Sequence, residues 1–289
     1  MFILKGLLKN ILGLCLLGFL WQSCNIINPA EVVPTYVHVD SFTFINNPKY
    51  NNISFSHKIT SIWVYYNNNP IGVFDLPATI PIMASGFGSL EITPGINVNG
   101  QNSQINAYPF YTIDTFSFNA QPGKVIQHVP KTGYYDGLKF TTLLNQYNLG
   151  FSEWGGTTGI SFVKSDTLEF QPPNWSAGIF LNTAADSSID SSNISFPIPT
   201  GAAFIEFNYK CTVPFYLGLQ AIIAGTAQST PYYLTGIYAN DTWQKFYLSV
   251  GEFNAQYQGT AYRLYIKASV PDGQSNGKVL LDNIQLVTF

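Results

Sequence analysis

Alternating apolar and polar residues along most of the chain predict β-strands. The clearest alternation covers residues 262–268, where one parity is apolar and the other is largely charged: Tyr262, Leu264, Ile266 and Ala268 against Arg263, Tyr265 and Lys267. Similar short runs recur from residue 36 to the C-terminus, separated by turn sequences such as Asn67-Asn68-Asn69-Pro70. The sequence therefore predicts an all-β protein, with residues 141–147 as the one stretch suited to a short helix.

The spacing of these strands predicts two β-sandwich domains. Closely spaced short strands with Gly, Pro and Asn between them cover residues 36–132, which is typical of a sandwich. Residues 133–289 are assigned to the second domain, and about eight strands in the roughly 140 residues from Phe151 onwards are typical of a jelly roll.

The first residues have a different pattern and predict a secretory signal peptide over residues 1–23. Lys5 and Lys9 are the only charges there, and residues 11–21 are uncharged and mostly apolar. A membrane-spanning helix needs about 20 apolar residues, and Lys9 interrupts this run. Residues 24–35 then form a tether, and about ten extended residues reach at most roughly 35 Å. The first sandwich is therefore expected to lie close to whatever holds residue 24.

The sequence Leu20-Trp21-Gln22-Ser23-Cys24 resembles the lipobox of bacterial lipoproteins in the looser form found in Bacteroidota. That resemblance implies cleavage before Cys24, a diacylglycerol on its sulfur and a third acyl chain, such as palmitate, on its amine. It also implies a lipoprotein of the cell envelope, anchored in the outer membrane, with the leaflet and the side left open. Two acyl chains are enough for stable anchoring, so three would hold the protein permanently.

Composition narrows the classes of partner. Without residues 1–23 the chain has 11 basic and 16 acidic side chains, a formal charge of −5, and Arg263 is its only arginine. Nucleic-acid binding needs a basic patch to neutralise phosphates, so that class is excluded. Charged residues make up 10% of the chain against a usual ~25%, which favours hydrogen-bonding and stacking contacts over ionic ones. Cys15 lies in the predicted signal peptide and Cys24 is the expected acylation site. Cys211 is then the one cysteine left, so no disulfide is expected.

The sequence has few of the histidine and carboxylate arrangements that catalysis uses. It therefore predicts a protein that is not an enzyme and requires no cofactor. The histidines His38, His57 and His128 all precede the second domain and lack the spacing of metal ligands. The second domain therefore has no histidine for a Ser-His or Cys-His dyad. Glycoside hydrolysis needs only two carboxylates, so a glycoside-active enzyme remains the weaker alternative.

Two further resemblances concern the domains. Residues 64–82 resemble the small immunoglobulin-like and PEGA-like repeats of bacterial envelope proteins. Residues 243–248, 262–266 and 279–286 are similar to the last three strands of galactose-binding-like jelly rolls, a superfamily that includes many carbohydrate-binding modules. These resemblances imply an Ig-like first sandwich and a second domain that binds a ligand such as a glycan.

The second resemblance also implies a structural Ca²⁺. In such modules an Asp in the closing strand and a Glu near the domain start ligate the ion, and Asp282 and Glu153 occupy those places. Asp282 shares its strand parity with Leu280, Ile284 and Leu286, so it is predicted to point towards an apolar face. Calcium takes six to eight oxygens. The alternative is that Asp282 accepts hydrogen bonds and ties the two ends of the domain together.

Three tryptophans of the second domain are candidates for stacking on sugar rings: Trp154, Trp175 and Trp243. Trp175 follows Pro172, Pro173 and Asn174 and is expected in a loop, whereas filling the core is the alternative role for all three. The sequence thus predicts a membrane-anchored, non-enzymatic envelope lipoprotein that binds a ligand, with glycan as the leading class. The alternative is a structural or assembly subunit of an envelope complex, whose aromatic faces bury protein.

Overall fold

A computed structural model describes residues 31–50, 53–165, 168–171, 174–228 and 230–289. The predicted signal peptide, Cys24 and residues 25–30 of the tether lie outside these ranges, so the lipid anchor stays a prediction. Within the described ranges, no helix has the length and apolar character required to cross a membrane.

Ten strands make up the first part of the molecule: β1 (Thr35–Val39), β2 (Thr43–Phe44), β3 (Ser61–Tyr66), β4 (Asn69–Asp75), β5 (Ala78–Ile82), β6 (Gly86–Asn97), β7 (Ile105–Ala107), β8 (Asp114–Ala120), β9 (Val125–Gln127) and β10 (Lys131–Thr132). One sheet has the order β5-β1-β9, and a second has the order β4-β3-β6-β7, with β8 also paired to β6. The short strands β2 and β10 pair with each other as a separate two-stranded sheet. β1 contributes Val37 and Val39 to the shared core, and β6 contributes Leu90 and Ile92. This is the first sandwich; its resemblance to immunoglobulin-like and PEGA-like repeats stays a prediction.

Twelve strands and one helix make up the second part: β11 (Lys139–Leu144), β12 (Phe151–Gly156), β13 (Ser161–Val163), β14 (Ser176–Leu181), β15 (Ser187–Ser192), β16 (Ala203–Cys211), β17 (Phe215–Ile223), β18 (Thr226–Ala227), β19 (Tyr232–Ile237), β20 (Asn240–Ser249), α1 (Gly251–Tyr257), β21 (Ala261–Ser269) and β22 (Gly277–Thr288). The sheet here called the β22 sheet has the order β13-β14-β22-β16-β20, with β11 also on β22. The β21 sheet has the order β12-β15-β21-β17-β18, with β19 also on β17.

The two six-stranded sheets enclose the largest core of the molecule. Alternate residues of β21, including Leu264 and Ile266, face this core, as the sequence predicted, and Phe207 and Leu281 reach it from the β22 sheet. Cys211 is a free thiol buried among them. The predicted all-β fold with two sandwiches is confirmed.

The predicted helix is wrong. Most of residues 141–147 belong to β11, because the β-branched residues Thr141 and Thr142 pair with Leu286 and Gln285 of β22. The helix of the second part is instead α1, which packs Phe253 into the core.

A third apolar cluster joins the two sandwiches. The first sandwich and the segment after it supply most of the buried side chains, and the outer face of the β22 sheet supplies the rest: Ile96, Val98, Tyr108, Phe110, Tyr111, Tyr134 and Leu138, with Phe204, Tyr247 and Val287. Tyr108 packs edge-on against Phe204 and Tyr247, with ring centroids 5.1 and 5.0 Å apart. We call this contact the junction.

A buried charge lies at the centre of the junction. Glu206 is fully buried and accepts hydrogen bonds from the hydroxyls of Tyr108 and Tyr134. The Lys245 ammonium lies 2.7 Å from Glu206 Oε2. Burial is the main reason why the pKa values of Tyr108 and Tyr134 lie well above their usual range, so both phenols stay protonated donors.

The first sandwich also covers the open edge of β20, the last strand of its sheet. A 3-10 turn over residues 98–100 lies against it, and Asn99 Oδ1 accepts the backbone N–H of Ser249 at 2.9 Å. Gly100 has φ +68°, and a Cβ there would come within 2.6 Å of the Phe246 ring. A residue with a side chain would therefore push the turn away from the strand.

Candidate functional site

A cleft of about 740 Å³ opens beside the junction, on the outer face of the β22 sheet. Its floor comes from that sheet and its walls from three loop segments. The lining residues are Asn46, residues 53–58, Asn145, Gln146, Tyr147, Phe170, Gln171, Asn174, Asn208, Trp243, Gln244, Lys245, Asp282 and Asn283. The volume lies within the roughly 300–1,000 Å³ typical of small-molecule sites.

A β-bulge in β22 shapes the floor. Between the pairs Glu206–Gln285 and Asn208–Asp282, β22 has one more residue than β16, and Asn283 takes a left-handed φ of 54°. Val279 and Leu281 face the core before the bulge, and Ile284 and Leu286 face it after the bulge. The bulge places Asp282 and Asn283 together in the cleft lining.

The predicted orientation of Asp282, towards the same face as Ile284 and Leu286, is therefore wrong. The sequence argument assumed unbroken alternation from Leu280 to Leu286, which would group Asp282 with the core residues Ile284 and Leu286. The extra residue shifts the alternation, so Asp282 faces away from the core and into the cleft. A left-handed non-glycine residue in a strand is strained, and such strain is common at functional sites.

Asp282 is only 4% exposed and has a carboxylate neighbour. Ser176 Oγ donates to Asp282 Oδ2 at 2.7 Å, which confirms that Asp282 accepts a hydrogen bond, although from β14 rather than from the start of the domain. Burial raises the pKa of Asp282 to about 6, and the negative charge of Glu169 adds to the rise. Glu169 is equally buried, and neither of its carboxylate oxygens has a hydrogen-bond partner in the described part of the chain.

Amides and aromatic rings supply most of the remaining lining. Asn208 Nδ2 donates to Ser56 Oγ at 2.6 Å, which ties the floor to one wall. Trp243 packs edge-on against Phe170, with ring centroids 5.3 Å apart. This arrangement offers hydrogen-bond donors, acceptors and ring faces to one ligand, with little free charge.

The structure places the three predicted tryptophans on different surfaces. Trp243 lines the cleft. Trp175 is 41% exposed and packs edge-on against Phe162 near Lys164, at the β13–β14 edge. Trp154 is 50% exposed and packs edge-on against Tyr265 on the β21 sheet. No single ligand site brings these three side chains together, and the stacking role of each stays a prediction.

The two predicted calcium ligands lie in different sheets. Glu153 is on β12 of the β21 sheet, where its charge acts on Asp190, whereas Asp282 is on β22 and has Glu169 as its carboxylate neighbour. The described residues contain no group of three His, Cys, Asp or Glu side chains suited to a metal ion. A calcium site formed by Glu153 and Asp282 stays a prediction without support from this geometry.

Sequence reasoning missed several residues of the cleft. Asn208 looks like an ordinary polar residue of β16, and His57 looks like a surface histidine. Lys245 follows Trp243 in a strand without any motif. Of the residues singled out in the sequence, Trp243 and Asp282 do line the cleft. Asn283 follows Asp282, and two adjacent polar residues in an otherwise apolar strand are a signal that could have identified it.

Comparisons of the chain with known proteins found similarity among solved structures only. No protein-family model matches it, and no curated protein matches it. Among solved structures, it is similar to carbohydrate-binding modules of the β-sandwich superfamily studied for promiscuous specificity, at 13% identity and a TM-score of 0.38, covering 89% of this chain and 98% of that one.

Two other solved structures are similar over half of the chain. A variant of a family 29 carbohydrate-binding module aligns at 12% identity and a TM-score of 0.34, over 52% of this chain and 86% of that one. The enzymatically active domain of tailspike protein 4 from bacteriophage CBA120 aligns at 12% identity and a TM-score of 0.35. There the match covers 52% of this chain and only 19% of the tailspike chain. These likenesses are too distant to transfer a ligand or a site residue.

Proposed function

We propose that this protein is a non-catalytic binding protein and that its cleft holds a neutral glycan. The observation that carries the proposal is the cleft floor, where Trp243 and Asn283 lie together on one sheet face beside the junction. Asn208, which is 2% exposed, ties this floor to residues 53–58 through Ser56. Amides donate and accept hydrogen bonds and therefore match the hydroxyls of a sugar, while the indole ring matches its apolar face.

The cleft lining is mostly uncharged, which supports a neutral ligand; Lys58, Lys245 and Asp282 are its lysine and acidic side chains. Lys245 is paired with the buried Glu206, so its positive charge is already balanced. Lys58 Nζ donates to the neutral amide of Gln244 at 2.6 Å. Eight lining residues carry side-chain amides: Asn46, Asn145, Gln146, Gln171, Asn174, Asn208, Gln244 and Asn283.

The acids of the cleft support binding rather than hydrolysis. Asp282 is the one acidic side chain among the described lining residues. Glycoside hydrolysis uses two carboxyl groups that flank the scissile bond. Glu169 is 4% exposed and is not one of the lining residues, so it does not supply a second carboxyl group to the cleft.

The proposal includes membrane anchoring through Cys24. Its support is the apolar leader before Cys24 and the short tether after it. The Cys24→Ala variant is expected to move from the membrane fraction to the soluble fraction and to lose incorporation of labelled palmitate. A Cys211→Ala variant is the matched control and should behave as the wild type. Retention of Cys24→Ala in the membrane fraction would contradict the anchor.

The binding proposal is tested with the mature chain carrying Cys24→Ala. The probes are neutral β-glucan, mannan, xylan and galactan oligosaccharides, and the measurement is isothermal titration calorimetry. At least one probe should bind, and Trp243→Ala should abolish that binding. Trp154→Ala and Trp175→Ala are matched controls, because their indoles lie outside the cleft lining, and they should bind as the wild type does.

Two outcomes would overturn the proposal. Binding that depends on Trp154 or Trp175 rather than on Trp243 would move the site to another surface. No binding of any probe, together with co-purification of one stoichiometric envelope protein, would favour the assembly subunit instead.

A further inference from the structure

The cleft is built by both sandwiches. Its floor belongs to the β22 sheet of the second sandwich, whereas one wall is residues 53–58, which lead into β3 of the first sandwich. We call residues 53–58 the connecting segment. A site of this kind exists only when the two sandwiches are held in register, as they are at the junction.

The second sandwich fixes the position of the connecting segment. The segment has no strand or helix conformation, so regular backbone pairing does not hold it. Tyr247 Oη accepts the backbone N–H of Lys58 at 2.9 Å, and Asn208 Nδ2 donates to Ser56 Oγ at 2.6 Å. Lys58 Nζ also donates to Gln244 at 2.6 Å. These hydrogen bonds hold the connecting segment against β16 and β20, two of the strands that form the cleft floor.

His57 is presented by this segment on a rigid aromatic base. Its ring stacks on Phe44 with centroids 4.5 Å apart and an interplanar angle of 13°. Phe44 in turn packs edge-on against Tyr111 and Tyr134 of the junction, at 5.1 and 5.6 Å. The His57 side chain is exposed and lines the cleft, so its ring is oriented without being covered.

We propose that the connecting segment is the specificity-determining wall of the cleft and that His57 contacts the glycan together with Trp243. This inference rests on the proposed function. His57 Nδ1 bonds to the backbone carbonyl oxygen of Phe55 at 3.1 Å, so the imidazole offers the ligand its uncovered ring face and Nε2. One ring face and one hydrogen-bonding nitrogen suit a sugar with an apolar face and hydroxyls at its edge. Because the ring is held by Phe44, little side-chain entropy is lost when the glycan binds.

The test compares His57→Ala, His57→Phe and the control His38→Ala in the mature chain carrying Cys24→Ala. His38 is on β1 and bonds to Thr79 and Asp40, outside the cleft lining. Calorimetry is run on every oligosaccharide that the wild type binds. His57→Ala should weaken binding by about tenfold, because the sugar no longer has the imidazole ring to stack on. His57→Phe keeps the ring and should change the ratio of affinities between oligosaccharides, and His38→Ala should change neither.

A second measurement does not depend on the stability of these variants. Hydrogen exchange of the wild-type amides in the connecting segment should slow when the best oligosaccharide is bound, because the ligand covers a segment that lacks regular backbone pairing. Tyr247→Phe should weaken this protection, since it removes the acceptor that positions Lys58.

The outcomes separate the two proposals. If Trp243→Ala abolishes binding while His57→Ala and His57→Phe match the wild type and the segment gains no protection, the binding function stands and this inference is wrong. If the wild type binds none of the oligosaccharides, both are wrong.

Discussion

The outer face of the β22 sheet has two halves with opposite character. At the junction, Phe204, Tyr247 and Val287 are buried under the first sandwich and surround the charge of Glu206. In the cleft, Asn208 and Asp282 continue the same strands but remain beside open space. The bulge of β22 lies at the border, between the pairs Glu206–Gln285 and Asn208–Asp282. One half of this sheet face is therefore the interface with the first sandwich, and the other half is the cleft floor. The extra residue of the β22 bulge lies between them.

The largest effect is expected at the charge of the junction. Glu206→Gln leaves the buried Lys245 ammonium without its counter-charge, which should lower the free energy of unfolding by about 3–5 kcal/mol. Urea denaturation followed by tryptophan fluorescence measures this decrease. The double variant Glu206→Gln/Lys245→Met removes both charges and should recover a large part of it. Equal decreases in the single and the double variants would show that the charge pair is not what holds the junction.

A smaller decrease is expected from one donor of the same network. Tyr134→Phe removes the hydroxyl that donates to Glu206 Oε2 at 2.7 Å while keeping the ring. Hydrogen bonds to charged groups contribute about 1.5–3 kcal/mol, so the unfolding free energy should fall by that amount. Tyr135→Phe is the neighbouring control and should cause a smaller fall, because Tyr135 bonds to Tyr50 through its backbone carbonyl, which the substitution keeps. If Tyr134→Phe lowered the unfolding free energy less than Tyr135→Phe does, the Tyr134 hydroxyl would not contribute to the stability of the Glu206 network.

On the cleft side, one substitution is expected to stabilise the protein. The pKa of Asp282 is raised from 3.8 to about 6, so the folded state binds this proton more tightly than the unfolded state. Stability is therefore lost as the pH rises from about 4 to about 6. Asp282→Asn mimics the protonated acid and should raise the unfolding free energy at pH 7.5 by about 3 kcal/mol, since each pKa unit corresponds to about 1.4 kcal/mol.

Denaturation series at several pH values check this sign. At pH 4 the wild type and Asp282→Asn should be equally stable, and the gap should open between pH 4 and 6. Asp186→Asn is the opposite control, because backbone and side-chain hydrogen bonds lower the pKa of the partly exposed Asp186. A gap of the same size at pH 4 would mean that ionisation of Asp282 is not its cause.

The smallest effect is expected at the cleft floor. Asn208→Ala removes the hydrogen bond to Ser56 and should lower the unfolding free energy by only about 1 kcal/mol. It should nevertheless weaken glycan binding, because it releases the connecting segment. A destabilisation as large as that of Glu206→Gln would mean that the two halves of the sheet face do not differ as described.

The sequence was sufficient for the fold class and not for the site. Alternation at residues 262–268 correctly identified a strand with one face in the core, because each residue's side was set by local geometry alone. Tyr265 on the opposite face is nevertheless also buried, at 1% exposure, and packs against Trp154. Asp282 was misplaced because a bulge cannot be seen in the spacing of residues, although it reverses every side chain beyond it.

The rest of the site depends on strand order, which residue spacing does not encode. Trp154, Trp175 and Trp243 resemble one another in the sequence, yet sheet pairing sends them to three surfaces. His57 belongs to the cleft only because the junction brings the first sandwich against β16 and β20. The ion pair of Glu206 and Lys245 likewise arises from the pairing of two strands.

The turn of Asn99 and Gly100 has a consequence for how the protein is handled. It occupies the free edge of β20, where an uncovered strand would present unpaired backbone groups to any other chain. The first sandwich thus covers the free edge of a sheet in the second sandwich. Producing the second sandwich by itself would expose this edge to pairing with the same edge of another copy. The truncated protein is therefore expected to aggregate rather than to act as a smaller binding module.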